Sequence, residues 1–256
     1  MGKIISVCNQ KGGVGKSTTA VNVGSYLAIS GKRTLLIDLD PQGNATTACG
    51  INRKDIEGDI YQVIANGVPP ADSIKLTSID GLDIIPSSMH LAGAETVMTQ
   101  MDEKETVLKR LCASLKETYE FVLLDCPPSL GLLTVNALVA SDSTIIPVQC
   151  EYLALEGLNS LMHAVMLIKQ KLNPALRVGG IVLTMTDFRA HLSREVADEV
   201  KRFFKELVFN TAIPRNIRLA ESPSFGKPIC LYDPHSTGAL AYQLLTKEVI
   251  QKEAVN

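Results

Sequence analysis

A glycine-rich segment near the N-terminus, KGGVGKST at residues 11–18, constrains the fold more than any other part of the chain. An apolar run over residues 4–8 precedes it, and the stretch over residues 16–30 has the length of a helix and ends at Gly31. A glycine-rich turn between a buried strand and a helix gathers backbone N–H groups at the helix N-terminus, where an anion is favoured. The segment therefore predicts a phosphate-binding loop in a sheet of parallel strands.

The same segment contains two lysines, whereas a single nucleotide site needs one. Lys16 belongs to the Gly-Lys-Ser part of the loop, which meets the β- and γ-phosphates in P-loops. Lys11 lies five residues earlier, at the mouth of the loop. The strict GxxxxGK[ST] pattern fails because its first glycine position is Gln10, so the prediction depends on the flanking strand and helix. The second lysine points to the site of a partner subunit.

Apolar runs alternate with helix-length amphipathic stretches along the rest of the chain. Further strands are predicted over residues 34–40, 82–86, 121–125, 144–148, 178–184 and 209–214, and further helices over residues 103–117, 153–172, 195–207 and 237–252. Continuous apolar strands joined by helices indicate an α/β fold of the P-loop NTPase type, a doubly wound, mostly parallel β-sheet with helices on both faces. No Pro/Ser-rich linker divides the sequence, so residues 1–256 are predicted to form a single domain.

Composition argues against several classes of protein. Hydrophobic residues make up 46% of the chain and charged residues 20%, which is ordinary for a globular cytosolic protein. No apolar run approaches the roughly 20 residues of a membrane-spanning helix, and the first residues lack a signal-peptide pattern. The six cysteines are scattered without a CxxC pair, which favours small buried side chains over disulfides or a metal site. A cytoplasmic location is therefore expected.

Aspartates close two of the predicted strands. Asp125 ends the run 121–125 in the manner of a Walker B acid, which holds Mg²⁺ directly or through water. Asp38 and Asp40 end the run 34–40, which is expected to lie beside it, and the Ser17 hydroxyl of the loop is placed to bind the same ion. A single aspartate at a strand end is often structural, but three of them in a P-loop chain favour a nucleotide site.

Three motifs together resemble the ParA/Soj family of partition ATPases. They are KGGVGKST at 11–18, DLDPQGN at 38–44 and LLDCPPSLG at 123–131. The family belongs to the deviant Walker A group, with the MinD cell-division ATPases and the nitrogenase iron protein. Segments 148–158 and 212–229 are similar to its chromosomal branch. The resemblance implies a Mg²⁺-dependent ATPase that converts ATP to ADP and phosphate.

The resemblance also implies a role for each matching residue. Lys11 matches the signature lysine that reaches the partner's phosphates in an ATP-bound homodimer, and Gly12 matches a small residue at the dimer seam. Asp40 matches the acid that orients the attacking water, with Asp38 as its supporting neighbour and a further candidate metal ligand. The other implied nucleotide-binding residues are Gly13, Val14, Gly15, Lys16 (also catalytic), Ser17 and Thr18 in the loop, and Pro214 and Asn216 beside the adenine.

The family further implies non-specific binding of double-stranded DNA by basic residues of the dimer. Residues 177–227 hold nine Lys/Arg against six Asp/Glu. Arg189 and Arg218 are the candidate DNA-binding residues, because small or polar residues flank them in predicted loops. A monomer with so little excess charge should bind weakly, whereas a dimer doubles the phosphate contacts. A ParB/Spo0J-like activator protein and a nucleoid-associated location are implied as well.

Two other functions stay open at this point. A MinD-like membrane-associated positioning ATPase needs a basic amphipathic helix, but residues 242–256 contain two lysines, two glutamates and no basic face, so no membrane partner is expected. The second is an iron–sulfur or metabolic P-loop enzyme. An iron–sulfur member needs grouped cysteines, and Cys126 has no second cysteine near it in sequence.

Overall fold

The centre of the molecule is a twisted β-sheet. The computed structural model describes residues 2–151 and 154–254, and within these ranges seven strands form one sheet. The strands are β1 (Lys3–Val7), β2 (Thr34–Asp38), β3 (Lys75–Leu76), β4 (Leu82–Ile85), β5 (Phe121–Asp125), β6 (Ser143–Gln149) and β7 (Arg177–Thr184). Their order in the sheet is β3-β4-β2-β5-β1-β6-β7; β3 runs antiparallel to β4, and the other pairs are parallel. The predicted fold class is confirmed.

Helices connect the strands and cover the sheet. They are α1 (Lys16–Ile29), α2 (Asn44–Ala48), α3 (Ile60–Asn66), α4 (Ala94–Met98), α5 (Val107–Ala113), α6 (Leu115–Thr118), α7 (Leu132–Ala140), α8 (Ala154–Lys171), α9 (His191–Phe204), α10 (Ile217–Glu221), α11 (Ile229–Tyr232) and α12 (Thr237–Ala254). Short 3₁₀ helices span Arg53–Asp55, Pro70–Ser73, Met89–Gly93, Lys205–Leu207 and Ser222–Phe225. Within the described ranges, none of the helices has the length and apolar character that crossing a bilayer requires.

Both faces of the sheet are buried, since successive strand residues point to opposite sides. Leu36 and Leu123 belong to a core that includes residues of α1 and α12. Their neighbours Leu35 and Val122 belong to a second core, on the other face, that includes residues of α7, α8 and α9. Continuous apolar strands are what such a two-sided sheet needs, which is why they could be recognised in the sequence.

The cysteines lie in these two cores, as predicted. Cys8, Cys112, Cys126 and Cys150 belong to one core and Cys49 to the other, while Cys230 is half-buried. All six thiols are free.

The sheet order places a crevice at the end of β1. The chain passes from β1 to β2 on one side of β1, and later crosses from β5 to β6 on its other side, so β1 lies between β5 and β6. Ligands of open α/β sheets bind at the carboxyl ends of the strands where the order reverses in this way. The glycine-rich loop begins at that position.

The segment 209–214, predicted as a strand, is irregular. Isolated bridges join Val208 and Pro214 to residues in and just after β7, and the N–H groups of Phe209 and Ile213 donate to β7 carbonyls, but the pairing is interrupted between them. The carboxylate of Glu248 in α12 accepts hydrogen bonds from the N–H groups of Asn210 and Thr211, both at 2.8 Å. These donors are therefore not available to β7, and no regular ladder forms.

Two predicted helices have different ends, and one is interrupted. The helix expected over residues 103–117 begins only at Val107, because Glu103 has a positive φ of 51° that an α-helix does not accept. It is also divided into α5 and α6. Lys205 has a φ of 43°, so α9 ends at Phe204 instead of residue 207. Residue 153, the predicted start of another helix, lies outside the described residues.

Candidate active site

The glycine-rich loop leads from β1 directly into α1. Gly13 and Gly15 have φ angles of 75° and 89°, in the left-handed region that favours glycine. Gly15 is the cap residue of α1, so the unpaired N–H groups of the first helical turn are directed toward the loop. The Thr184 hydroxyl at the end of β7 donates to the Val14 carbonyl at 2.8 Å. The loop is thus a fixed cradle of N–H groups, suited to an anion.

The mouth of the loop is tied to β6 and α8. The Asn9 side chain donates to the Pro147 carbonyl at 2.7 Å and accepts from the Lys11 N–H at 3.0 Å. The Gln10 amide donates to the Gly157 carbonyl at 3.2 Å. Gln10 is the residue that departs from the strict P-loop pattern, and here it fastens the loop from the side.

The two loop lysines have different surroundings. Lys16 is buried, and its ammonium donates to the Lys11 carbonyl at 2.9 Å. Burial lowers the pKa of Lys16, and the nearby Asp125 carboxylate opposes that shift. The Lys11 ammonium instead lies 2.9 Å from a Glu151 carboxylate oxygen, with 43% of its side chain exposed. One lysine therefore faces the cleft and the other lies at the surface beside it.

Asp125 is the acid whose oxygens are free. It is fully buried at the end of β5, and neither carboxylate oxygen has a hydrogen-bond partner of good geometry among the described residues. Burial, and then the charge of Asp38, raise its pKa well above the usual value, whereas the Ser17 hydroxyl lowers it. A buried carboxylate without donors is costly unless a cation neutralises it. Because Mg²⁺ prefers carboxylate and hydroxyl oxygens, Asp125 and Ser17 fit a magnesium ion.

Asp38 has its oxygens occupied. It stands opposite Asp125 in the β2–β5 register and is fully buried. One oxygen accepts from the Thr46 N–H at 2.8 Å and the Thr46 hydroxyl at 2.7 Å, and the other accepts from the Asp40 N–H at 3.1 Å. Burial raises the pKa of Asp38 to about 6. This arrangement favours the supporting role predicted for Asp38 over the metal contact.

Asp40 lies just beyond β2, on the rim of the cleft. Its carboxylate accepts from the Gln42 N–H at 2.9 Å, and its carbonyl accepts from the Gly43 N–H at 2.8 Å. Both contacts belong to the tight turn that leads into α2. The turn therefore fixes the Asp40 carboxylate on the same side as the loop.

Two adjoining cavities form the cleft. The larger, of about 380 Å³, is lined by Gly12, Gly13, Gly15, Lys16, Ser17, Thr18 and Asp40 together with residues of α2 and of the segment 219–228. The smaller, of about 250 Å³, is lined by Pro214, Asn216, Thr184, Ile213 and Tyr242. Both share Gly15, Thr18, Met185, Leu219 and Ala220, so they form one continuous groove from the loop to the 213–220 segment.

Comparison with known proteins places this site in a family. The AAA domain model matches residues 2–178. Sporulation initiation inhibitor protein Soj of Bacillus subtilis (strain 168) is 53% identical over 249 residues, which cover 97% of this chain and 98% of the relative. The chain belongs to the Soj/ParA family of partition ATPases. Chromosome partitioning protein ParA of Myxococcus xanthus (strain DK1622) is 47% identical, covering 99% of this chain and 89% of the relative. The family predicted from the three motifs is confirmed.

A solved structure shares this fold. Cobyrinic acid a,c-diamide synthase from Mycobacterium smegmatis, with bound ADP and magnesium, superposes with a TM-score of 0.86 and 34% sequence identity. The match covers 99% of this chain and 96% of that one.

The arginines predicted to bind DNA lie outside the cleft of this Soj/ParA protein. Arg189 follows β7 in an exposed turn and forms two bonds to the Asp187 carboxylate, at 2.9 and 3.0 Å. This contact lowers the pKa of Asp187 to about 2. Arg218 was expected in a loop but lies in α10, which Asn216 caps by accepting from its N–H at 2.8 Å. Arg218 contacts Glu221 at 3.1 Å.

Arg218 also contacts Asp233 at 3.4 Å, but none of these ion pairs prevents the arginines from binding a phosphate. The pairs are exposed, with 92% of the Arg189 side chain and 53% of the Arg218 side chain accessible. Exposed ion pairs contribute little, so a phosphate can replace the carboxylate.

Several residues of the site could not be found from the sequence. Met185 lines both cavities and has a positive φ of 51°. No sequence pattern predicts a positive φ at a methionine. Leu219 and Tyr242 have the sequence pattern of ordinary core residues, although both line the smaller cavity. Glu151 and Thr46 carried a weak signal, since each is a polar residue just after a strand or turn of the site.

Proposed function

We propose that this protein is an ATP-driven switch in DNA segregation. ATP-bound dimers bind double-stranded DNA without sequence preference at the nucleoid, and a ParB-like activator stimulates hydrolysis and release. The separation of the two loop lysines carries the proposal. Lys16 lines the cleft, whereas Lys11 meets Glu151 at the surface, where it is available to a second subunit.

Within one subunit the loop binds the phosphates of ATP. The N–H groups of Gly13, Val14 and Gly15 surround the phosphate oxygens, and Lys16 and Thr18 add a cation and a hydroxyl. Mg²⁺, held by Ser17 and Asp125, would neutralise charge on the phosphates. The smaller cavity, at Pro214 and Asn216, takes the adenine. The solved relative with bound ADP and magnesium supports the binding of an adenine nucleotide with this metal.

Hydrolysis needs groups from both subunits. Asp40 orients the attacking water, and the turn that holds its carboxylate fixes the direction of that contact. Lys11 of one subunit reaches the phosphates of its partner and stabilises the transferred charge, as an arginine finger does. To do so it must leave Glu151, which costs roughly 1 kcal/mol or less because the pair is exposed.

Replacing Gly12 with valine should block ATP-dependent dimerisation and leave the monomer folded. Among the described residues, a Cβ atom at Gly12 would meet only the Pro128 side chain, at the ordinary distance of 3.9 Å, and the φ of Gly12 is not positive. Because Gly12 also lines the cleft, ATP binding is measured as well, and a variant that binds ATP but stays monomeric places the clash in a second copy. Light scattering with ATP and a thermal melt measure the two effects. A valine variant that dimerises normally would place Gly12 away from the seam.

Reversing the charge of Arg189 and Arg218 together should abolish DNA binding without affecting the ATP dimer. Four charges are reversed in each dimer, so affinity at moderate salt should fall at least about tenfold and the salt dependence should flatten. Lys201→Glu with Arg202→Glu on α9 is the matched control, with the same change in net charge. Equal losses in both variants would show that net charge alone, and not this surface, determines binding.

One experiment tests the whole proposal. DNA binding is measured with ATP, with ADP and without nucleotide, each across a range of salt concentrations. We expect tight, salt-dependent binding with ATP alone. Binding that is equal in all three states would refute an ATP-gated switch.

A further inference from the structure

Thr46 is a buried polar residue between the catalytic turn and the sheet. It lies in α2 and is fully buried. Its hydroxyl donates to Asp38 at 2.7 Å, its N–H donates to the same carboxylate oxygen at 2.8 Å, and the hydroxyl oxygen accepts from the Ser87 N–H at 2.9 Å. The hydroxyl therefore donates one hydrogen bond and accepts one, both within the protein.

These bonds continue to Asp40. The second oxygen of Asp38 accepts from the Asp40 N–H at 3.1 Å. Thr46 therefore fixes the Asp38 carboxylate, and Asp38 fixes the backbone from which the Asp40 side chain extends. Two further bonds, from Gln42 and Gly43 to Asp40, complete the turn.

The surroundings make this support necessary. Asp38 is fully buried with Asp125 opposite it and Asp40 two residues away, so three carboxylates share a small volume. Repulsion between them would turn the Asp38 carboxylate unless donors hold it in place. The Thr46 hydroxyl is the only side-chain donor that meets Asp38 among the described residues.

We infer that Thr46 is a positioning residue for ATP hydrolysis, which acts through Asp38 to hold Asp40 in the geometry that orients water. This inference rests on the proposed role of Asp40. It predicts slower chemistry with nucleotide binding and dimerisation preserved, because the loop and Lys11 are separate from this set of bonds.

The test is Thr46→Val, which keeps the shape of the side chain and removes its hydroxyl. We expect kcat to fall about tenfold to a hundredfold, because small misplacements of a catalytic group have effects of that size. The Kd for ATP should stay within about twofold, and the ATP dimer should accumulate. Thr46→Ser, which restores the hydroxyl, should recover most of the rate.

Thr47→Val is the matched control. Thr47 is the exposed neighbour in the same helix, and its hydroxyl donates to the Gly43 carbonyl at 3.1 Å. We expect turnover close to wild type. Should Thr46→Val be too unstable to purify, Thr46→Cys replaces it, since a thiol is a weak donor and should show the same fall in kcat.

Asp40→Ala in the same assay distinguishes the positioning role of Thr46 from the hydrolytic role of Asp40. If Asp40→Ala is slow and Thr46→Val turns over normally, Thr46 does not position Asp40, although the proposed function stands. If Asp40→Ala turns over normally, the hydrolytic role of Asp40 fails and the inference with it. Equal weakening of ATP binding and kcat by Thr46→Val, without recovery in Thr46→Ser, would show a merely structural residue.

Discussion

Replacing Lys11 with alanine should abolish both ATP hydrolysis and ATP-dependent dimerisation. A cation supplied by the partner stabilises the charge that develops on the phosphates, and such a contribution is typically about 10³-fold or more in rate. The monomer should stay folded, because the Lys11 side chain forms one exposed ion pair with Glu151. Single-turnover hydrolysis and light scattering measure the two losses, and a thermal melt checks the fold.

Glu151→Gln separates the two contacts that Lys11 can make. It removes the ion pair within the subunit and leaves the lysine free to reach a partner. We expect dimerisation and turnover to be retained in this variant. If it fails as Lys11→Ala does, the ion pair and not the contact across the dimer is what matters. A Lys11→Ala protein that dimerises and hydrolyses ATP normally would end the trans-lysine mechanism.

Replacing Asp40 with alanine should trap the ATP dimer on DNA. Orientation of water and proton transfer by a positioned carboxylate contribute roughly 10²–10⁴-fold, whereas the cradle and Lys11 are unchanged by the substitution. Turnover should therefore fall by about that factor while the dimer persists. Phosphate release and the lifetime of the complex on DNA are the measurements.

Asp40→Asn is the control for the turn itself. Its amide oxygen can still accept from the Gln42 N–H, so the local backbone is retained while the carboxylate is lost. Equally slow turnover in both variants would assign the effect to the charge. Normal turnover in Asp40→Ala would mean that another group positions the water.

Much of the fold could be predicted because its signals are local. A strand buried on both faces is a continuous apolar run, and Gly13 and Gly15 reveal the loop by their freedom at positive φ. The strand predicted over residues 209–214 was wrong for a non-local reason. Glu248, more than thirty residues later, accepts from the Thr211 N–H, which a continuous ladder with β7 would need.

In the site, too, some features have local sequence signals and others depend on contacts that the sequence does not show. Lys16, Ser17, Thr18 and Asp40 were predicted to lie together, and they line one cavity. The tasks of the three aspartates were predicted from the family resemblance alone; the residue pattern does not distinguish them, because the distinction depends on which oxygens meet donors. Asp38 is held by Thr46, whose position beside it follows from the tight turn after Asp40. Asp125 has an identical side chain and meets none of these donors.

The buried cysteines provide an internal probe of local unfolding. Burial raises the pKa of Cys8 to about 11 and that of Cys126 well above the usual value, so their thiols react slowly with alkylating reagents while the chain is folded. Cys230, half-buried, should label first. Cys8 and Cys126 lie near Lys16. The rate at which they are labelled, with and without ATP, therefore measures local unfolding around the phosphate-binding loop.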